Sequence, residues 1–228
     1  MCKALPSLRS SGKAMTAHKP SAHSGRIFKS DLLEALTRTH IAIPLTLFWT
    51  AGAASLWYSI ARLDIMWGIA LLLFVGGTIF FTLLEYLMHR YLYHIPATTP
   101  WRERFRYVVH GVHHDHPRDK RRLAQPPITS VLLAIILLSL FRLIMGDFGF
   151  AFCGGVLFGY SSYLAIHYAT HMLKPPKNFL GILWKNHNLH HYVNDEGAFG
   201  VSSPLWDHVF GTMPADPKRK AAERAHLL

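Results

Sequence analysis

Four apolar stretches interrupt an otherwise polar and basic chain, running from about Ile41 to Ile60, Ile65 to Leu87, Ile128 to Met145 and Phe148 to Tyr168. Each approaches the roughly 20 residues that carry a helix across a bilayer core. A lone strand would leave its backbone groups unpaired in lipid, so the pattern predicts four membrane-spanning helices. The links inside each pair are short, Ala61 to Asp64 and Gly146 with Asp147, which predicts two helical hairpins. Before them, DLLEALTRTH over residues 31–40 predicts a short amphipathic helix approaching the membrane. Residues 1–30 are rich in Ser, Lys, Ala and His without periodicity and predict a disordered basic tail. The expected architecture is therefore an all-α integral membrane fold. A single domain spans 31–228, capped by cytosolic helical segments over 89–125 and 167–215.

Charge orients this frame. The chain carries 24 Lys+Arg against 13 Asp+Glu, with half its residues hydrophobic. The basic residues lie between apolar runs and form no single stripe, which argues against a nucleic-acid partner. Seven precede residue 41, eight fall in 85–127 and seven follow His171, while only Arg62 and Arg142 lie near the hairpin tips. The positive-inside rule then places both termini and the central segment in the cytoplasm. The expected location is the endoplasmic reticulum membrane in a eukaryote or the inner membrane in a bacterium. Cys2 and Cys153 are too few and too far apart for a disulfide framework and read as free thiols.

The sixteen histidines are the compositional anomaly. Ten fall in four clusters: His89 and His94 in HRYLYH, His110, His113 and His114 in HGVHH, His167 and His171 in HYATH, and His187, His190 and His191 in HNLHH. Spacings of three and four residues gather side chains on one helix face. His89 and His94 are five apart, which a regular helix splays by about 140°. A helix end before Pro96 or a locally wide turn would bring them together. With both the second and fourth crossings running inward, all ten imidazoles can meet in one layer at the cytoplasmic surface. Ten nitrogens exceed one ion's needs and suit two metals at about five each. Imidazole alone does not choose among Fe, Zn, Cu and Ni. His18, His23, His40, His116, His208 and His226 have no such partners and read as ordinary surface or core residues.

Outside the clusters, Glu85 lies one turn before His89 and is placed either to accept from a ligand imidazole or to pair with Arg90. Asp115, Asp195, Glu196 and Asp207 are further outer-shell candidates. Tyr86, Tyr93, Trp101, Tyr107, Trp184 and Trp206 flank the crossings and read as an interfacial aromatic belt. A metal transporter would place ligands along a path near the bilayer midplane instead of at one surface. A non-catalytic metal-stabilised scaffold stays open at this point.

The four histidine boxes, in this order and between these crossings, resemble the fatty acid hydroxylase superfamily of membrane di-iron oxygenases. HGVHHDHPRDKRRLAQPP and HHYVNDEGAFGVSSPLWDHVFGT are similar to the corresponding stretches of sphingolipid fatty acid 2-hydroxylases. The resemblance covers about residues 75–213. It implies that the ten histidines hold two iron ions, that O₂ is co-substrate and that a membrane lipid is hydroxylated on its acyl chain, at C2. Zinc can occupy the same nitrogens in purified protein without supporting redox chemistry. The superfamily also contains sterol oxidases and desaturases and is related to carotenoid hydroxylases; a sterol or carotenoid oxygenase is the alternative reading. The sequence lacks the HPGG stretch and the fused haem-binding cytochrome domain of the eukaryotic pattern. The resemblance then implies a separate electron donor, cytochrome b-type or ferredoxin-like with its reductase.

Overall fold

The computed structural model describes residues 24–214, and among them every regular element is helical. α1 spans Asp31–Ala35, α2 Ala42–Ala61 and α3 Trp67–Leu87, continued by a π-helical turn over Met88–Tyr93. α4 spans Pro100–Arg106 and runs through a second π-helical turn, Tyr107–Gly111, into α5, Val112–Asp115. α6 (Pro127–Met145), α7 (Phe148–Met172), α8 (Gly181–Tyr192) and α9 (Leu205–Val209) complete the order. The long helices fall within a few residues of the apolar stretches.

Three of them, Trp67–Tyr93 with its π turn, Pro127–Met145 and Phe148–Met172, are long and apolar enough to cross a membrane. The outward faces of the first two carry Leu72, Ile79, Leu143 and Ile144, all strongly exposed, as lipid-facing surfaces require. α2 is 20 residues long, but Thr46, Trp49, Thr50, Trp57 and Tyr58 dilute its hydropathy.

α7 is the central helix, with α2, α3 and α6 packed around it. Glycines on α7 permit that packing. A Cβ on Gly154 would lie 2.8 Å from the Gly52 carbonyl of α2, and a Cβ on Gly155 would enter the backbone of Phe74 on α3. Such close backbone approach replaces the hydrophobic driving force that is missing between helices in lipid. Thr78 Oγ1 adds a hydrogen bond to the Gly155 carbonyl at 3.1 Å. Phe48, Phe81, Val156 and Leu164 fill the interior between the helices.

Of the expected tail, the described residues from Ser24 onward make contacts with α4 and with the segment after α5. Ser24 donates through its backbone N–H and its hydroxyl to Asp119 Oδ2, at 3.0 and 2.6 Å. Arg104 Nη2 donates to the Ile27 carbonyl at 2.5 Å. Glu34 accepts from the Ile27 and Phe28 amides and pairs with Arg38 and Arg122. Two of these partners, Arg104 and Asp119, lie 77 and 95 residues away, beyond the reach of any local pattern. Residues 1–23, with Cys2, His18 and His23, and residues 215–228, with His226, lie outside the described part of the chain.

Candidate metal centre

All ten clustered histidines come together where α3 and α7 end, and they form two groups. His89, His94, His110, His114 and His190 make one, and His113, His167, His171, His187 and His191 make the other. Within each group the five ring nitrogens lie within 4.8 Å of one another. The groups share a wall, with the His114 and His191 rings stacked at 4.2 Å.

The sequence boxes do not map onto the groups one to one. The i, i+4 pairs His110/His114, His167/His171 and His187/His191 stay together, while His113 and His190 cross to the opposite group. Each helical residue advances about 100°, so neighbours such as 113/114 and 190/191 point apart and straddle the two centres. The His89–His94 spacing is resolved by the π-helical turn. His94 N–H donates to the His89 carbonyl at 3.2 Å, an i+5 bond, which widens the turn and places both rings in one group.

The ring nitrogens face one another. His110 Nε2 lies 3.0 Å from both His89 Nε2 and His114 Nε2. His190 Nε2 lies 3.1 Å from His94 Nε2, His113 Nε2 is 2.9 Å from His167 Nε2, and His187 Nε2 is 2.8 Å from His171 Nε2. His89 Nδ1–H donates to the Phe199 carbonyl at 2.6 Å and His190 Nδ1–H to the Gly197 carbonyl at 2.7 Å. Those bonds fix the tautomer and leave the Nε2 lone pairs of both rings pointing inward. Two nitrogens bound at right angles to one ion at about 2.1 Å sit about 3.0 Å apart, so the observed contacts match a shared cation. The Nδ1 atoms of His113, His187 and His191 and the Nε2 of His191 are buried without a partner among the described residues. The donor set therefore fits a metal pair.

Burial and the neighbouring imidazoles push His110, His113, His187 and His191 well below the usual histidine range. Burial, followed by His190 and His94, takes His114 down to about 2. His190 falls to about 4, burial outweighing the opposing hydrogen bond to Gly197. The rings are neutral at pH 7, the state in which a lone pair is free for a cation.

The loop 197–202 was not singled out as a source of imidazole partners, yet its carbonyls hold His89 and His190. Two buried carboxylates shape that loop. Glu85 accepts from Val201 N at 2.6 Å, Ser202 N at 2.9 Å and the Ser202 hydroxyl. It thus bonds neither a ligand imidazole nor Arg90, which instead donates to the Tyr86 hydroxyl. Asp207 accepts from Phe199 N, Gly200 N and the Thr212 hydroxyl. Ala198, between the two anchoring carbonyls, adopts φ 57°, a left-handed conformation unusual for a residue with a Cβ. Asp195 lies 3.9 Å from His94 Nδ1, whereas Asp115 and Glu196 make no ion pair within the cluster. Tyr86 is fully buried against Phe199 and Phe210, a core residue and no part of an interfacial belt. Tyr93 stacks on His110 and Tyr163 on His167, flanking the two groups.

Two cavities reach the histidines. A polar one of about 530 Å³ opens on the first group and is lined by His94, His110, His114, Arg104, Arg106 and Asp195. A mostly apolar one of about 360 Å³ touches both groups through His110, His113 and His167. Its walls include Val108, Val112, Leu123 and Leu164.

The family model for fatty acid hydroxylase matches residues 74–212. A dihydroceramide fatty acyl 2-hydroxylase of Arabidopsis thaliana is 35% identical over 196 residues, covering 83% of this chain and 80% of that protein. A fatty acid 2-hydroxylase of Rattus norvegicus is 34% identical over 226 residues, 88% of this chain and 60% of its own length. The chain thus spans about three fifths of that mammalian relative. The solved structure of full-length scs7p, in which only the hydroxylase domain is visible, superimposes with a TM-score of 0.74 at 32% identity. That match covers 81% of this chain and 70% of the other.

Proposed function

Because this chain belongs to the fatty acid hydroxylase family, we propose that it hydroxylates the acyl chain of a membrane lipid, a fatty acid or ceramide, at C2. The observation that carries this reading is the pair of adjacent five-imidazole groups joined by one apolar cavity. The reaction consumes R–CH₂–C(=O)–, O₂, two electrons and two protons and yields R–CH(OH)–C(=O)– and water. The ten histidines hold two iron ions, and that pair supplies the oxidising power that no side chain has. The chain's own residues do the rest. Neutral imidazoles hold the ions, the Gly197 and Phe199 carbonyls orient His190 and His89, and the apolar walls keep bulk water from the reacting methylene.

The proposed topology has α2 as a fourth crossing. Its 20 residues run beside α7, in close backbone approach at Gly52 and Gly154. The basic segments around the hairpins support a histidine layer on the cytosolic side. A lipid whose head group stays at that interface brings only its first chain carbons to the metals; a terminal methyl lies roughly 15 Å deeper. The two electrons come from a docked donor, cytochrome b-type or ferredoxin-like with its reductase. A cysteine placed beside Asp64 or Asp147 should label from outside intact cells, and labelling of either terminus instead would reverse the orientation.

Expression in a host lacking 2-hydroxy lipids, followed by lipid mass spectrometry, tests the activity. 2-Hydroxyacyl lipids appearing only with the active gene support it. Oxygen found only on sterol or carotenoid rings would replace the substrate assignment.

A further inference from the structure

Given the acyl-lipid reading above, we infer that Gln125 is the residue that sets the register of the acyl chain, donating from its carboxamide to the acyl carbonyl. Gln125 lines the apolar cavity that also exposes His110, His113 and His167. Its Nε2 is buried and finds no acceptor among the described residues. Three neighbouring side chains of the lining donate elsewhere. Arg122 donates to Thr37 and Glu34, Thr37 donates to the Glu34 carbonyl, and Thr129 donates to the Pro126 carbonyl. The Gln125 Nε2 is thus a buried amide donor open to an occupant, two residues before α6 begins at Pro127.

The chemistry of the occupant makes such a group necessary. Val108, Val112, Leu123 and Leu164 offer walls on which every methylene is equivalent, so dispersion alone cannot tell C2 from C3 or C4. A polar fix on the one oxygen of the chain end can. Leaving a buried donor unpaired is costly, so an occupant with a carbonyl is favoured over one without. The matching ligand class is an acyl lipid presenting a carbonyl acceptor: an amide-linked or free fatty acyl chain. Gln125 is a positioning residue, acting on substrate placement and not on the metals.

The test compares wild type with Gln125→Met, which keeps the length and removes the donor, and Gln125→Glu, which substitutes an acceptor. The full chain is used, and folding is checked by thermal melting. Equilibrium binding is measured for N-palmitoyl sphinganine and for hexadecane, which fills the cavity without a carbonyl. Both variants should lower the ratio of ceramide to hexadecane affinity about three- to tenfold. In turnover, the hydroxyl should spread from C2 to neighbouring carbons. Equal changes for both ligands, no change for either, or hydroxylation kept strictly at C2 would overturn the role of Gln125 alone. Wild-type protein that binds neither ligand would overturn the acyl-cavity reading and the inference together.

Discussion

Removing the Glu85 carboxylate should damage a metal centre that it never touches. Glu85 accepts three hydrogen bonds from Val201 and Ser202, and Val201 is only 1% exposed. In Glu85→Ala both backbone donors lose their acceptor, at about 1–3 kcal/mol each, and the lost side chain leaves a small cavity. The expected destabilisation is about 3–5 kcal/mol. In Glu85→Gln the amide oxygen still accepts from both backbone donors, and its NH₂ can donate to the Ser202 hydroxyl, so the loss should stay near 1 kcal/mol. Slackening of 197–202 also frees the Phe199 carbonyl that orients His89. Loss of such an outer partner typically weakens metal affinity about 10–100-fold. Thermal melting together with metal release against a graded chelator reads both effects. An alanine variant that melts and holds metal like wild type, or a glutamine variant as damaged as the alanine one, would refute the reasoning.

Elemental analysis of purified protein should find close to two transition-metal ions per chain. His113→Ala and His114→Ala, adjacent in sequence but in different groups, should each weaken a different ion, and equal depletion of both ions by either variant would contradict the partition. Burial opposes the charge on Glu34, but the amides of Phe28 and Ile27 with Arg38 and Arg122 outweigh it and hold its pKa at about 2, below the ordinary 4.5. A depressed carboxylate stabilises the docked segment above its unfolded pKa and loses that contribution as pH falls from 4.5 towards 2. Protection from hydrogen exchange over residues 24–38, relative to the intrinsic rate at each pH, should therefore fall in that window in wild type but not in Glu34→Gln; pH-independent protection in wild type would count against the role of Glu34. At Ala198, glycine should be tolerated and Val should cost about 1–3 kcal/mol, because a β-branched residue resists the left-handed conformation. A valine variant with unchanged melting temperature would remove strain from the account of this loop.

The chain alone determined that this is a helical membrane protein with four histidine clusters able to meet in one layer. Apolar length, basic flanks and i, i+3/i+4 spacings are local properties, written directly in consecutive residues. The four boxes were legible for the same reason, and a wide turn was one of two ways foreseen to join His89 and His94. Tertiary structure alone decided what depends on rotation about helix axes and on partners far apart in sequence. His94 meets His190 across 96 residues, and His113 leaves its own box for the group of His167. Likewise Glu85, whose own neighbourhood pointed to His89 or Arg90, spends its oxygens on a loop 116 residues away. Ser24 is held by Asp119 although nothing around it signals order. Sequence periodicity states which face of a helix a side chain occupies. Which other helix or loop that face meets is set by packing, here by the glycines that let α7 lie against α2 and α3.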